Sequence, residues 1–164
     1  MKKIIFLLIV LSSVAFKSSE PNYYAFTPVF MERSEMEKAV RIESPIPIKN
    51  PGKIYIWNSY IFINEKYKGF HVIDNVNPAT PINKAFLHID GCLDIAIKNN
   101  FIYADNAVDL IVLQMDQGLN DISVKGRVRD ALPEPSSPDG FWMTRAFEKF
   151  RPKNGIIIRW EKNQ

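Results

Sequence analysis

The sequence predicts a mainly β fold with two four-stranded, propeller-like blades, preceded by a short N-terminal helix and followed by a C-terminal extension. The first observation is an internal repeat. KIYIWNSYIFIN at residues 53–64 aligns with DIAIKNNFIYAD at residues 94–105, and four positions are identical at a spacing of 41 residues. The second observation is that each copy consists of short apolar strands separated by turns. A period of about 40–45 residues built from short strands is typical of propeller blades. The repeat therefore predicts a partial β-propeller.

The chain begins with the pattern of a secretory signal peptide over residues 1–15. Two lysines precede an apolar run, and Ser13 and Ala15 are the small residues expected before a cleavage site. An uncleaved membrane anchor is the alternative, but a spanning helix requires about 20 apolar residues and polar Ser12 ends this run. With no cysteine near the cleavage site, we expect an exported protein that is not a lipoprotein. It would lie in the periplasm, at the outer surface or outside the cell, with no stable membrane span after signal removal.

Composition and charge exclude some classes of partner. The chain has 21 Lys and Arg residues against 18 Asp and Glu, a formal net charge of +3, and two of the lysines belong to the predicted signal. No segment clusters basic residues as phosphate contacts require, so no nucleic-acid partner is expected. Cys92 is the only cysteine, and therefore no intrachain disulfide can form. Its neighbours Gly91 and Leu93 favour a buried side chain over a reactive thiol.

Residues 16–52 form the predicted N-terminal arm, with one short helix at about 35–41. Ser34 and Glu37 match a capping box, in which Ser34 is the N-cap. The helix must end before Pro45, because a proline disfavours the helical region for the residue that precedes it. An extended segment and a turn then lead into the first repeat.

The two predicted blades occupy residues 53–90 and 94–129. Asparagine tolerates the positive φ that two-residue hairpin turns require, and Asn58 and Asn99 stand at the turn of each copy. Strands are expected at residues 53–57, 60–64, 70–74 and 84–89 in the first blade, and at 94–98, 101–105, 108–114 and 122–128 in the second.

Residues 130–164 are predicted to be a proline-rich linker and a C-terminal extension. Three prolines and one glycine lie between residues 131 and 140, which excludes a central strand or helix there. The apolar run at residues 155–160 predicts a last strand. A strand this close to the end of a chain is expected to return and pair with an earlier element.

The repeats resemble the LVIVD family of exported and surface proteins of bacteria and archaea. The resemblance rests on FHVIDNVNP at residues 70–78, where an apolar strand closes in Asp and a short polar link leads to Asn-Pro. The second copy, LIVLQMD at residues 110–116, has Gln114 in place of that Asp and no Asn-Pro follows. The blade opening at residues 94–105 is also similar to the family, and the resemblance covers residues 53–128.

The resemblance implies a β-propeller fold and an envelope location, and it transfers no catalytic residue. The two blades depart from the family, whose members usually carry enough repeats to close a ring of about four to eight blades. Three interpretations follow. The chain is a truncated relative of a longer protein, copies of it associate to complete a ring, or its flanking segments cap the two-blade core.

Carboxylates of the second repeat are the first set of candidate site residues. Asp94, Asp105 and Asp109 lie near strand ends, where their oxygens could bind Ca²⁺, an ion that takes about six to eight oxygen ligands. Aspartates at such positions also bond to their own backbone, which is the alternative. The two histidines, His71 and His88, lie on strands without a zinc-site spacing, and are expected to be hydrogen-bonded strand residues.

Aromatic residues are the second set. Trp57, Tyr67 and Trp142 could form a platform for a sugar or a protein, and ordinary packing is the alternative. The sequence thus predicts a non-catalytic binding or scaffolding module of the cell envelope with a protein or glycan partner. No cofactor is expected, and self-association is an open alternative. The alternatives are a hydrolase or enzyme subunit with a carboxylate or metal site on the blade loops, or a fragment of a longer propeller protein.

Overall fold

The protein is mainly β. The structure, a computed structural model, describes residues 24–116, 118, 121–140 and 145–164. The predicted signal peptide at residues 1–15 and the candidate residue Trp142 lie outside this part of the chain. The described strands form antiparallel sheets and no closed barrel, so the predicted fold class is confirmed at this level. Within the same residues, no helix has the length and apolar character needed to span a membrane.

Three antiparallel sheets contain the described strands. Strands β3 to β6, with β2 added beside β6, form the first sheet, β7 to β10 form the second sheet, and β1 and β11 form the third sheet. The eight strands predicted for the two repeats are all present, with small shifts at their ends. The elements are β1 Phe26–Glu32, α1 Arg33–Lys38, β2 Arg41–Glu43, β3 Pro51–Trp57, β4 Tyr60–Glu65, β5 Gly69–Asp74, β6 Ile82–His88, β7 Ile95–Lys98, β8 Phe101–Asn106, β9 Asp109–Met115, β10 Ile122–Val128, α2 Arg145–Glu148 and β11 Gly155–Lys162.

The hairpin turns that open each repeat are confirmed. Asn58 joins β3 to β4 with φ 52°, and Asn99 joins β7 to β8 with φ 55°. Asparagine adopts positive φ at lower cost than most residues with a side chain. Turns of this kind match the right-handed twist of the strands that they connect.

The helix predicted at about 35–41 is not seen with those bounds. Helix α1 is only six residues long, and Arg41 already belongs to β2. The chain leaves the helix because β2 pairs with β6, which places Ile42 against the apolar core. The predicted N-cap is also wrong. Glu32 is the N-cap, and its carboxylate accepts a hydrogen bond from the backbone N–H of Ser34 at 2.8 Å.

The last strand returns to the start of the described chain, as expected. β11 pairs with β1 from Phe26↔Lys162 to Glu32↔Gly155. Together with α1, these two strands form a unit that we call the cap. Its apolar side packs on the turn between β8 and β9, in a cluster whose buried members are Met36, Ala107, Val108, Ile156 and Ile158.

The first and second sheets bury one shared core between them. A sheet that presents an apolar face must cover it with another element, and here each sheet covers the other. Residues 89–94 connect the first sheet to the second and are called the linker below. The buried residues that we call the shared core are Phe62, Phe70, Val72, Ala85 and Leu87 from the first sheet, Ile89 and Cys92 from the linker, and Ile95, Ile102, Ala104, Ile111, Leu113 and Met115 from the second.

The two sheets stack in the same sense, so that residues equivalent in the repeat lie on opposite sides. Phe62 of the first sheet lies in the shared core, whereas its equivalent Tyr103 is 38% exposed on the far side of the second sheet. Ile102 lies in the shared core, whereas its equivalent Ile61 is on the far side of the first sheet, because side chains alternate along a strand. The arrangement is therefore head to tail and leaves one face open at each end.

Two isoleucines, Ile102 in the shared core and Ile56 on the far side of the first sheet, test this packing. Ile102→Ala should lower the free energy of unfolding by about 2–5 kcal/mol, because it leaves a cavity in the shared core. Ile56→Ala, at a side chain that is 77% exposed, should lower it by about 0.5 kcal/mol or less. Urea unfolding at low protein concentration measures both. Equal losses would contradict the assignment of the two faces.

Candidate functional site

Asp105 holds the linker between the two sheets. Its carboxylate accepts hydrogen bonds from the backbone N–H groups of Leu93 at 2.9 Å and Asp94 at 2.8 Å. It also accepts one from the Cys92 thiol at 3.1 Å. Burial raises the pKa of that thiol well above its ordinary value, and the nearby Asp105 carboxylate raises it further. The prediction of a buried cysteine is confirmed, and the oxygens of Asp105 are used for structure.

Asp94 lies at the boundary between the sheets and is half exposed. Its carboxylate accepts a hydrogen bond from the Tyr55 hydroxyl and forms an ion pair with the Lys53 ammonium group. Both partners lie on β3, so Asp94 ties this edge strand of the first sheet to the start of the second sheet. Of the three candidate carboxylates, Asp94 is the one best placed to meet a molecule from solvent.

Asp109 is completely buried and joins the second sheet to the cap. Its carboxylate accepts hydrogen bonds from the guanidinium groups of Arg33 at 2.9 Å and Arg127 at 2.7 Å. The backbone N–H of Asp130 donates a third at 3.0 Å. Arg33 also forms an ion pair with the side chain of Asp130. Buried charges persist only with such partners, because removing a charge from water is costly.

The charge of Asp109 is stabilised by this arrangement. Burial raises the pKa of its carboxyl group, but the hydrogen bond from Asp130 and the guanidinium groups of Arg127 and Arg33 outweigh burial. The pKa of Asp109 is therefore lower than its ordinary value, and the group is ionised at neutral pH.

The first sheet has a comparable carboxylate, which the sequence did not indicate. Glu65 is buried and accepts hydrogen bonds from the backbone N–H groups of Lys49 at 2.9 Å and Asn50 at 2.7 Å. His71 Nε2 lies 3.1 Å from Glu65, and the His71 ring contacts the Phe86 ring at a centroid distance of 5.0 Å. Burial raises the pKa of Glu65, but the hydrogen bonds from Lys49, His71 and Asn50 lower it more.

The residue that opens the third strand differs between the repeats. β5 begins at Gly69 and β9 begins at Asp109. Gly69 has φ 134°, and a Cβ atom there would lie 1.9 Å from the carbonyl oxygen of Leu87. No other residue type fits this close approach of two strands. In the second repeat the same place holds a buried carboxylate and the arginines that surround it.

The three candidate metal ligands do not form a common site. Asp94, Asp105 and Asp109 each bond to a different set of partners. In the residues that the structure describes, no group of three or more His, Cys, Asp or Glu side chains is arranged to hold a metal ion.

The aromatic candidates are likewise separated. Trp57 ends β3, packs against the shared core and stacks on Tyr60 at a centroid distance of 6.4 Å. Tyr67 lies beyond the other end of β4, with φ 65°, and its backbone N–H donates to the carbonyl oxygen of Cys92 at 2.9 Å. Burial raises the pKa of Tyr67. The two side chains thus occupy opposite ends of the first sheet and do not form one platform.

A shallow depression of 310 Å³ lies on the outer face of the second sheet. Asp94 and Asp105 border it on one side, and Tyr103, Leu110 and Leu132 supply apolar surface. A half-exposed carboxylate beside an aromatic ring is a combination that can bind a polar ligand with an apolar face, such as a sugar.

Comparison of the chain with protein-family models, with curated proteins and with solved structures gave no match. Fold and side-chain geometry therefore define the class: a mainly β protein with two repeat-related sheets stacked head to tail. The hydrogen bonds of Asp105 and Asp109 hold the sheets and the cap together.

Asp109 provides a test of this structural role. Because its pKa is lower in the folded state, its contribution to stability is present above the unfolded-state pKa of about 3.9 and is lost as the pH falls further. Asp109→Asn should lower the free energy of unfolding at pH 7 by about 3–5 kcal/mol, since Arg33 and Arg127 lose their shared partner. The variant should also lose less stability on acidification.

The control for this prediction is Asp94→Asn, which removes a half-exposed ion pair and should cost about 1 kcal/mol or less. Both variants are measured by denaturant unfolding at about pH 7 and about pH 3, which lie above and below the ordinary aspartate pKa of about 3.9. Similar losses at pH 7, or an unchanged acid dependence in Asp109→Asn, would contradict the role of Asp109.

Proposed function

We propose that the protein is an exported, non-catalytic binding or scaffolding module of the cell envelope, built on two propeller-like blades similar to LVIVD repeats. Its partner is a glycan or a protein. The observation that carries the proposal is the head-to-tail stacking of two four-stranded antiparallel meanders related by the sequence repeat. Consecutive propeller blades are built and stacked in this manner.

The hydrogen bonding of the candidate carboxylates supports a non-catalytic role. Asp105 accepts hydrogen bonds from three groups of the linker, and Asp109 accepts them from three groups, of which Arg33 belongs to the cap. A general acid or base must reach a substrate proton in a plausible pose. Asp109 is instead buried in the protein, and the oxygens of Asp105, although Asp105 borders the depression, accept hydrogen bonds from the linker.

The cap supports the interpretation that a flanking segment stabilises the short array. It packs at the end of the second sheet and leaves the outer face of that sheet exposed. Here Met36, Ile156 and Ile158 cover the turn between β8 and β9, and Arg33 bonds to Asp109 beneath them. Arg129 adds two hydrogen bonds to Glu37 of α1, both at 2.9 Å.

Export is tested by expressing the full chain in a bacterium and fractionating the cells. The expected result is a processed protein in the envelope or the medium, with a mass that matches loss of residues 1–15. The control lacks those residues and should remain in the cytosol. A full-length, cytosolic product from the complete chain would contradict the proposal.

Binding and catalysis are separated with purified cell-wall sacculi as the probe. The chain should co-sediment with sacculi without releasing reducing ends. Asp94→Asn serves as the carboxylate variant that keeps the fold, because Asp94 is half exposed and borders the depression on the second sheet. Release of reducing ends that is lost in a folded Asp94→Asn variant would overturn the non-catalytic proposal. Absence of co-sedimentation would exclude this glycan and leave a protein partner, to be sought by cross-linking in intact cells.

A further inference from the structure

The shared core forms between one face of the first sheet and one face of the second. A face equivalent to each of them in the repeat is present again on the outer side of the other sheet. The second sheet buries Ile95, Ile102 and Ala104 against the first sheet. The repeat equivalents of these residues are Ile54, Ile61 and Ile63. Together with Ile56 they form a row of isoleucines on β3 and β4 that we call the open face of the first sheet. Ile54 is 63% exposed and Ile56 is 77% exposed.

The other half of the pair is repeated on the second sheet. In the shared core the first sheet contributes Phe62, Phe70, Val72, Ala85 and Leu87. Cross-strand pairing places the equivalents of these residues together on the far side of the second sheet, since Tyr103 pairs with Val112, Val112 with Gly126, and Leu110 with Val128. The open face of the second sheet therefore consists of Tyr103, Leu110, Val112, Gly126 and Val128.

The open face of the first sheet has a definite boundary. Its β5 side is covered by the N-terminal arm, where the Asn83 side chain donates to the Ile46 carbonyl at 3.1 Å and Glu65 binds Lys49 and Asn50. Ile73 is buried on this side, and the β3–β4 side remains open. Ile48, 45% exposed, is on the arm next to Lys49. A row of exposed isoleucines of this kind marks an interaction surface.

We propose that a second copy of this chain binds head to tail, with the open face of its second sheet on the open face of the first sheet. The occupant is a copy because the chain already contains this interface once, between its own sheets, with equivalent residues on both sides. The inference rests on how the sheets stack and not on export or on the proposed partner.

Such an interface joins two different faces and leaves one of each free. It therefore continues to a further copy unless the rotation closes a ring. Each copy brings two blades, and propellers close at about four to eight blades. A closed ring would therefore contain about two to four copies of the chain.

The test uses one variant on each face and a control. Ile56→Asp places a charge on the open face of the first sheet, and Val128→Asp places one on the open face of the second, where Val128 is 57% exposed. Val76→Asp is the control, because Val76 is similarly exposed in the loop between β5 and β6. Circular dichroism checks that each variant keeps the β fold.

Size-exclusion chromatography with light scattering, from micromolar to near-millimolar concentration, should show oligomers for the natural chain and for Val76→Asp. Each face variant alone should be reduced to monomers, because every interface would then include one altered face. Mixing Ile56→Asp with Val128→Asp should restore a dimer, because one intact face of each kind remains in the mixture. A natural chain that is monomeric throughout, or oligomers that survive both substitutions, would overturn the proposal. Two-fold pairing of identical faces would leave one variant unaffected and give no rescue on mixing, which also overturns it.

Discussion

The shared core between the first two sheets is the contact on which the rest of the structure depends. Neither sheet can bury the apolar side that it contributes to the shared core without the other. Phe62 and Phe70 meet Ile102, Ile111 and their neighbours there, and the linker that carries Cys92 lies within the same cluster. The hydrogen bonds of Asp105 to the linker set where the second sheet begins, and so help to fix which face it presents to the first.

A second level of organisation is electrostatic. Asp109, Arg33 and Arg127 bring together the cap, the start of β9 and the edge strand β10. Such a group specifies an arrangement more than it adds stability, because burial offsets much of the attraction between the charges. The apolar contacts of Met36 and Ile158 hold the cap in place, and the charges determine its position on the second sheet.

The sequence predicted the repeats well because their signals are local. Alternating apolar residues and the turn residues Asn58 and Asn99 define each strand pair within a dozen residues. The helix was misjudged because the pairing of Ile42 with Leu87, a contact between distant segments, overrides the capping pattern. The partners of the candidate carboxylates could not be predicted for the same reason. Arg33 and Asp109 are 76 residues apart, and no local pattern links them.

The difference between Gly69 and Asp109 bears on how such a protein can change in length. Arrays of repeats commonly grow by duplication of a unit. A duplicated second repeat would contain a second copy of the buried Asp109, while the arm would still supply a single Arg33. A duplicated first repeat would carry Gly69 at that place, but it would bring a second buried Glu65, whose donors Lys49 and Asn50 the arm also supplies only once. Lengthening one chain by duplication is therefore opposed by a buried carboxylate in either repeat, whereas a separate copy of the chain brings its own Arg33, Lys49 and Asn50.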